Sequence, residues 1–134
     1  MNEAIELHDS VIAELADQQG EITLLLSPAI IHISAGRPGV DSGEVWLQAV
    51  TVVFHHPAFD VTSITLDLPS GISDGVLVTG SARYDNVLPV PLRTAGSATL
   101  HLTVSGSEVR QVALAAGEIA VIPSGPRRYL ERFA

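Results

Sequence analysis

Turn-forming residues divide this chain into short segments. It contains 11 glycines and 8 prolines in 134 residues, and they or other turn residues recur about every 8–15 positions. The segments between them are rich in Val, Ile, Leu and Thr, which favour strands. Such spacing is typical of sandwiches and barrels rather than of alternating strands and helices. The sequence therefore predicts an all-β fold of about 8–10 short strands with little or no helix. We expect an antiparallel two-sheet sandwich or a flattened jelly-roll-like barrel.

The alternation of side chains supports this fold class. Apolar and polar residues alternate at 22–26, 64–68 and 98–104, which predicts half-buried strands. Residues 44–54 are apolar on both faces, which predicts a central strand covered on both sides. Further strands are expected at 29–34, 76–83, 108–115 and 118–122, an exposed loop at 36–43, and an irregular crossing at 84–97.

The N-terminal segment, residues 3–17, fits two structures. Leu7, Val11 and Leu15 recur every four residues, which suits a helix. Val11, Ala13 and Leu15 also alternate, which suits a strand at 10–17 that pairs with the strand predicted at 22–26. We favour the strand, and both structures remain open at this point.

Composition limits what the chain can do. Its length predicts one domain, 1–134. It has no Cys and no Lys, which excludes disulfides, thiolate catalysis and lysine Schiff bases. The net charge of −8 and 4% aromatic content argue against a nucleic-acid partner.

No signal peptide or membrane span is visible, so we expect a cytoplasmic protein without a membrane partner. The 46% hydrophobic content favours a homo-oligomer.

One motif matches the nucleophile elbow of hydrolases. Residues 71–75 read GISDG, and Asp85 and His101 follow in the order that a Ser73 nucleophile would need. That mechanism also needs a helix directly after the serine, whereas residues 76–83 predict a strand. We therefore interpret the motif as a turn between strands.

Histidines are the main candidates for metal binding. His55 and His56 are neighbours, so on a strand they point to opposite faces unless Pro57 breaks it. His32 and His101 lie on other predicted strands, and no H-x-H or H-x-x-x-H spacing occurs. We therefore predict no metal and no other cofactor. These four histidines are the weak candidates for metal ligands if a site exists.

Two polar groups stand near the ends of the chain. His8, Asp9 and Ser10 predict a hydrogen-bonded turn or cap at the start of the first element. Arg128 and Glu131 lie in a charged C-terminal segment that needs fastening if it is to be ordered. The acidic N-terminal and basic C-terminal segments either lie close and pair or are separately solvated.

Large side chains supply candidates for a ligand pocket. A barrel mouth or sandwich cleft that binds a small molecule would be lined by apolar and aromatic groups. The candidates for that lining are Trp46, Phe54, Phe59 and Tyr84.

Gly117 is followed after five residues by Pro123-Ser124-Gly125 and, after two more residues, by Arg128. This spacing in the last third of the chain resembles the second motif of the cupin family. The family has a metal-binding His where this chain has Arg128, and an Asn where it has Arg132. The first cupin motif, H-x-H with a following Glu, is absent. The resemblance implies a strand–turn–strand unit and argues against a metal-dependent cupin activity.

A second resemblance covers more of the chain. The features on which it rests are, in chain order, residues 8–10, a hairpin ending at 28–29, the PVPL segment 89–92, a strand pair about Gly117, and the YLERF segment 129–133. In these features the chain is similar to small bacterial all-β domains of unknown function, some of them related to immunity-type proteins. The resemblance implies a strand after residues 8–10 and no catalytic residues.

Three functions follow from these observations. We favour a non-catalytic bacterial interaction protein that binds a protein partner, with an immunity-like role as one form of it. Its acidity would steer the encounter with a basic partner. The alternative is a small-ligand-binding β-barrel. A metal-dependent cupin-like enzyme, or one acting through Ser73, is less favoured, so we lean against an enzyme.

Overall fold

The chain folds into eleven β-strands and one 3₁₀ turn, as a computed structural model covering residues 1–134 describes. The all-β prediction is confirmed. The first five strands are β1 (Asn2–Glu6), β2 (Val11–Gln18), β3 (Glu21–Ser34), β4 (Gly43–Pro57) and β5 (Ser70–Thr79), with the 3₁₀ turn at Val61–Ser63 between the last two. The others are β6 (Arg83–Asp85), β7 (Val87–Pro89), β8 (Leu92–Arg93), β9 (Ala98–Ser105), β10 (Val109–Pro123) and β11 (Arg128–Phe133).

Two long strands form the centre of the sheet. β3 has 14 residues and β4 has 15, and they pair antiparallel from Ile22 opposite Phe54 to Ser34 opposite Gly43. A bulge after Leu26 interrupts the ladder, which accommodates a proline that lacks an N–H donor. On its other edge β3 pairs first with β2 and then with β1, while β4 pairs with β10 and then with β11. Each long strand therefore pairs with the other along one edge and with two shorter lengths of strand along its other edge.

The sheet curls into a partly closed ring. Pairing runs through six strands in the order β4, β10, β9, β5, β2 and β3, and β3 returns to β4. The contact between β2 and β5 is the shortest, with Val11 opposite Gly71 and Ile12 opposite Ser70. A backbone bond from Asp9 to the carbonyl of Ile72, 2.9 Å, extends it. The ring is thus a barrel held closed at one narrow seam.

Short strands occupy the expected irregular crossing. β6 pairs with β5, β7 with β1, and β8 with β10, each over two or three residues. They add edges to the sheet without entering its centre, as expected where prolines remove donors. No helix in this structure has the length and apolar character needed to cross a bilayer.

Apolar side chains fill the inside of the ring. A cluster of 23 buried residues includes the inward positions of the strands predicted at 22–26 and 98–104, which are confirmed. Phe54 is the largest fully buried side chain. β4 lies inside the sheet as expected: Val50, Val52 and Phe54 face the core cluster and are buried, and Thr51 and Val53 between them are half-buried.

The helix–strand ambiguity at the N-terminus resolves to strand. Residues 11–18 form β2 and pair with β3 through a two-residue turn at Gln19 and Gly20, whose φ angles are 57° and 89°. Two positive φ values match the right-handed twist of a hairpin. Residues 108–115 and 118–122, predicted as two strands, are one strand, β10, because Gly117 continues the extended backbone.

The strand predicted at 64–68 is wrong. The segment between β4 and β5 makes a 3₁₀ turn, capped by the Asp60 carboxylate, which accepts the Thr62 N–H at 3.0 Å, and then runs without regular structure. Ile64 and Leu66 pack on the core cluster instead of pairing in the sheet, whereas Leu68 is exposed. Ile64 and Leu66 alternate because both cover the core, a pattern that strands and covering loops share.

Close packing at one glycine gives a stability test. A Cβ at Gly75 would lie 2.5 Å from Cδ1 of buried Leu7 and 3.0 Å from Cδ2 of Leu102, whereas Gly71 on the same strand has nothing within 4 Å. We expect Gly75→Ala to lower the free energy of unfolding by about 1–3 kcal/mol through overpacking. The matched Gly71→Ala should leave it unchanged or raise it by up to about 1 kcal/mol. Urea unfolding of both variants measures this, and equal effects would contradict the packing at Gly75.

Candidate functional site

The GISDG motif lies inside β5, so its interpretation as a turn is wrong. The register of β5 against β9 shifts between Ile72 and Asp74, which makes Ser73 the bulged residue. Its Oγ donates to the carbonyl oxygen of Thr103 at 3.2 Å and has no His or Asp partner. The small residues of the motif allow the strand to bulge at Ser73 and allow Leu7 to pack closely against Gly75. The motif therefore serves the packing of β5.

The candidate histidines are distributed over separate parts of the sheet. His32 is 6% exposed, and its Nε2 lies 2.9 Å from the Glu6 carboxylate. His55 pairs with the carboxylate of Glu21. His56 has a left-handed φ of 51°, and His101 is exposed on β9. No three His, Asp or Glu side chains come together in a group that could hold a metal ion.

The four pocket candidates lie at three places. Phe54 and Phe59 meet edge to face, with ring centroids 5.2 Å apart. Trp46 makes the same kind of contact, at 5.2 Å, with Tyr129 instead. Tyr84 packs against the core from β6. None of the four lines any of the five principal cavities, which are open depressions of about 290–540 Å³.

The polar residues 8–10 join strands rather than form a reactive site. Ser10 is fully buried; its Oγ donates to the Glu6 carbonyl at 2.7 Å and accepts the Ile30 N–H at 3.1 Å. His8 and Asp9 are exposed in the turn, with Nδ1 and Oδ2 3.3 Å apart. Arg128 and Glu131 lie on β11, and no hydrogen bond or ion pair links them to this turn.

The chain termini lie close and pair, which resolves the alternative left open by the charge pattern. The guanidinium of Arg127 pairs with the Glu3 carboxylate, and its Nε donates to Oε1 of Gln48 at 3.0 Å. Gln48 in turn donates to the carbonyl of Gly125 at 2.7 Å. Gln48 was not among the residues singled out from the sequence, although a lone amide within an apolar strand was a visible signal.

One acidic surface is built on an unpaired strand edge. β2 pairs with β5 only through Val11 and Ile12, so from residue 13 to 18 no strand pairs with its second edge, and the 3₁₀ turn at Val61–Ser63 also contacts β2. Glu14 and Asp17 are exposed on this stretch. We call Glu14, Asp17 and Glu21, at the hairpin of β2 and β3, the acidic edge. Beside it lies a depression of about 540 Å³ lined only by polar residues: Asp17, Gln18, Gln19, Glu21 and Thr23.

An apolar row borders the acidic edge on the outer face of the sheet. The register places Glu14 opposite Leu25, Leu25 opposite Thr51, and Thr51 opposite Ile122. Leu25 is half-buried and Ile122 is 41% exposed. Charged rim and apolar centre are the two parts of a protein-binding surface.

Comparison with known proteins finds no match among protein-family models, curated proteins or solved structures.

The two serines singled out by the sequence should differ in their effect on stability. Ser10→Ala leaves the Ile30 N–H and the Glu6 carbonyl without their partner inside the protein. We expect it to cost about 1–3 kcal/mol. Ser73→Ala removes one exposed hydrogen bond and should cost less than about 0.5 kcal/mol. Thermal and urea unfolding compare them, and a larger loss for Ser73→Ala would contradict these roles.

Proposed function

We propose that this chain is a non-catalytic interaction protein that binds a basic protein partner through the acidic edge. The free edge of β2, with Glu14 and Asp17 exposed along it, is the observation that carries the proposal. An immunity-like role, in which the bound partner is a basic toxin, is the form that the sequence resemblance favours.

Backbone chemistry supports binding at this edge. Residues 13–18 present N–H and C=O groups that no strand of this chain satisfies. An extended segment of a partner can add to such an edge as a further strand. The side chains of β2 itself would lie beside those of that segment, while Leu25 and Ile122 lie one and three strands further along the outer face.

Charge supports a basic partner. Five of the seven arginines pair with carboxylates of the chain itself, and Glu14 and Asp17 are in none of these pairs. The net charge of −8 attracts a basic protein over long distances and raises its association rate. If two copies paired through β2, their carboxylates would repel, so the edge discriminates against self-pairing.

The other functions have less support. A small-ligand binder would bring its aromatic candidates to one cavity, but they lie at three places away from the cavities. An enzyme acting through Ser73 would need a base beside Oγ, whose one partner is a backbone carbonyl.

Charge reversal at the acidic edge tests the proposal. The full chain, and a Glu14→Lys/Asp17→Lys variant, serve as bait in lysate of the cells from which the protein comes. We expect the unmodified chain to retain one basic protein stoichiometrically, and the variant to lose it. Retention should also fall in 1 M NaCl, because the screening length there is about 3 Å.

A matched control separates edge-specific binding from general acidity. Asp85→Lys/Glu108→Lys changes the net charge by the same amount at two exposed carboxylates elsewhere, one on β6 and one in the turn before β10. Each belongs to an exposed ion pair, so little stability is lost. The control should retain the partner. If both baits lose it, or neither does, the acidic edge is not the binding surface.

A further inference from the structure

β11 offers a second unpaired edge of different character. It pairs with β4 on one side only, at the end of the strand order. Five of its six residues are exposed, among them Tyr129 at 48% and Leu130 at 49%. An exposed edge with apolar side chains is a template for pairing with another chain.

The charges on β11 have no partner within the chain. Arg128 and Arg132 are the two arginines that form no ion pair, since the other five each contact a carboxylate. Glu131 forms no ion pair either. The strand therefore carries both signs of charge, unneutralised and three residues apart.

A bulge brings Arg128 and Glu131 to the same face. Arg128 lies opposite Leu47 and Glu131 opposite Val45, with Leu130 as the extra residue. In a regular strand, residues three apart point to opposite faces, and the bulge removes that difference. Because opposed residues of an antiparallel pair share a face, these two side chains can meet only when the strand is bulged in this way.

We propose that β11 pairs antiparallel with β11 of a second copy of this chain, about a two-fold axis between Tyr129 and Leu130. In this register Arg128 lies opposite Glu131 of the second copy, and Glu131 opposite its Arg128. Tyr129 lies opposite the second copy's Leu130. The two ion pairs and two apolar pairs are all generated by one six-residue strand.

Geometry limits this association to a dimer of modest affinity. A two-fold contact uses the β11 edge of both copies, so no β11 edge remains for a third copy. Arg132 would lie opposite Arg127 of the second copy, whose charge Glu3 already neutralises. One short strand per copy is a small interface, so the dissociation constant should be in the micromolar range, about 1–100 µM. This inference does not depend on the proposed function, because it uses the other edge.

Charge swaps at β11 test the pairing by sedimentation equilibrium from about 1 µM to 1 mM protein. The unmodified chain should pass from monomer to dimer. Arg128→Glu and Glu131→Arg should each raise the dissociation constant about tenfold or more, because each places like charges opposite one another twice. Mixing the two variants in equal amounts should restore a dimer, since each then supplies the charge that the other lacks. The double variant Arg128→Glu/Glu131→Arg should also dimerise.

Arg83→Glu is the matched control, an exposed arginine on β6 whose reversal should leave the dissociation constant unchanged. The restored association of the mixture also shows that both single variants fold. A monomer at every concentration would overturn the proposal. So would a dimer whose affinity the single variants leave unchanged, or a mixture that associates no better than its components.

Discussion

The ladder between β3 and β4 holds the rest of the structure in place. It runs along nearly the whole of both strands, and β2 and β10, through which β5 and β9 complete the ring, attach to its outer edges. The bulge after Leu26 divides β3 into two parts, of which the first receives β2 and the second receives β1. β4 is divided in the same way between β10 and β11. One hairpin thus supports a barrel and also two strands beyond it.

Buried polar residues stand where strands must be joined without a regular ladder. Ser10 links the turn after β1 to β3, and Gln48 links the centre of β4 to the segment before β11. His32 occupies a similar position on β3, between Glu6 and the ring of Phe133, whose centroid lies 5.3 Å away. Each of these side chains has partners, so burial of its polar atoms is not an uncompensated cost. In this structure each of them joins segments of the chain that are distant in sequence or lie on different strands.

The two proposed binding edges differ in the partner that they suit. Under these proposals Glu14 and Asp17 would make the β2 edge repel its own copy and attract a basic chain, whereas Arg128 and Glu131 would make β11 complementary to itself. An unprotected edge is otherwise a site of indiscriminate association, which charge can direct. A dimer through β11 would leave the acidic edge of each copy free, since the two edges belong to different strands.

Period-two alternation by itself determined the strands at 22–26 and 98–104, because a half-buried strand shows one face to the core and one to water. It could not distinguish the covering loop at 64–68, where the same alternation serves a different backbone. Nor could it show that Arg127 meets Glu3, or that a bulge aligns Arg128 with Glu131. Those features depend on register and on contacts between distant segments, which only the tertiary structure decided, because periodicity records which face is buried and not which strand lies beside it.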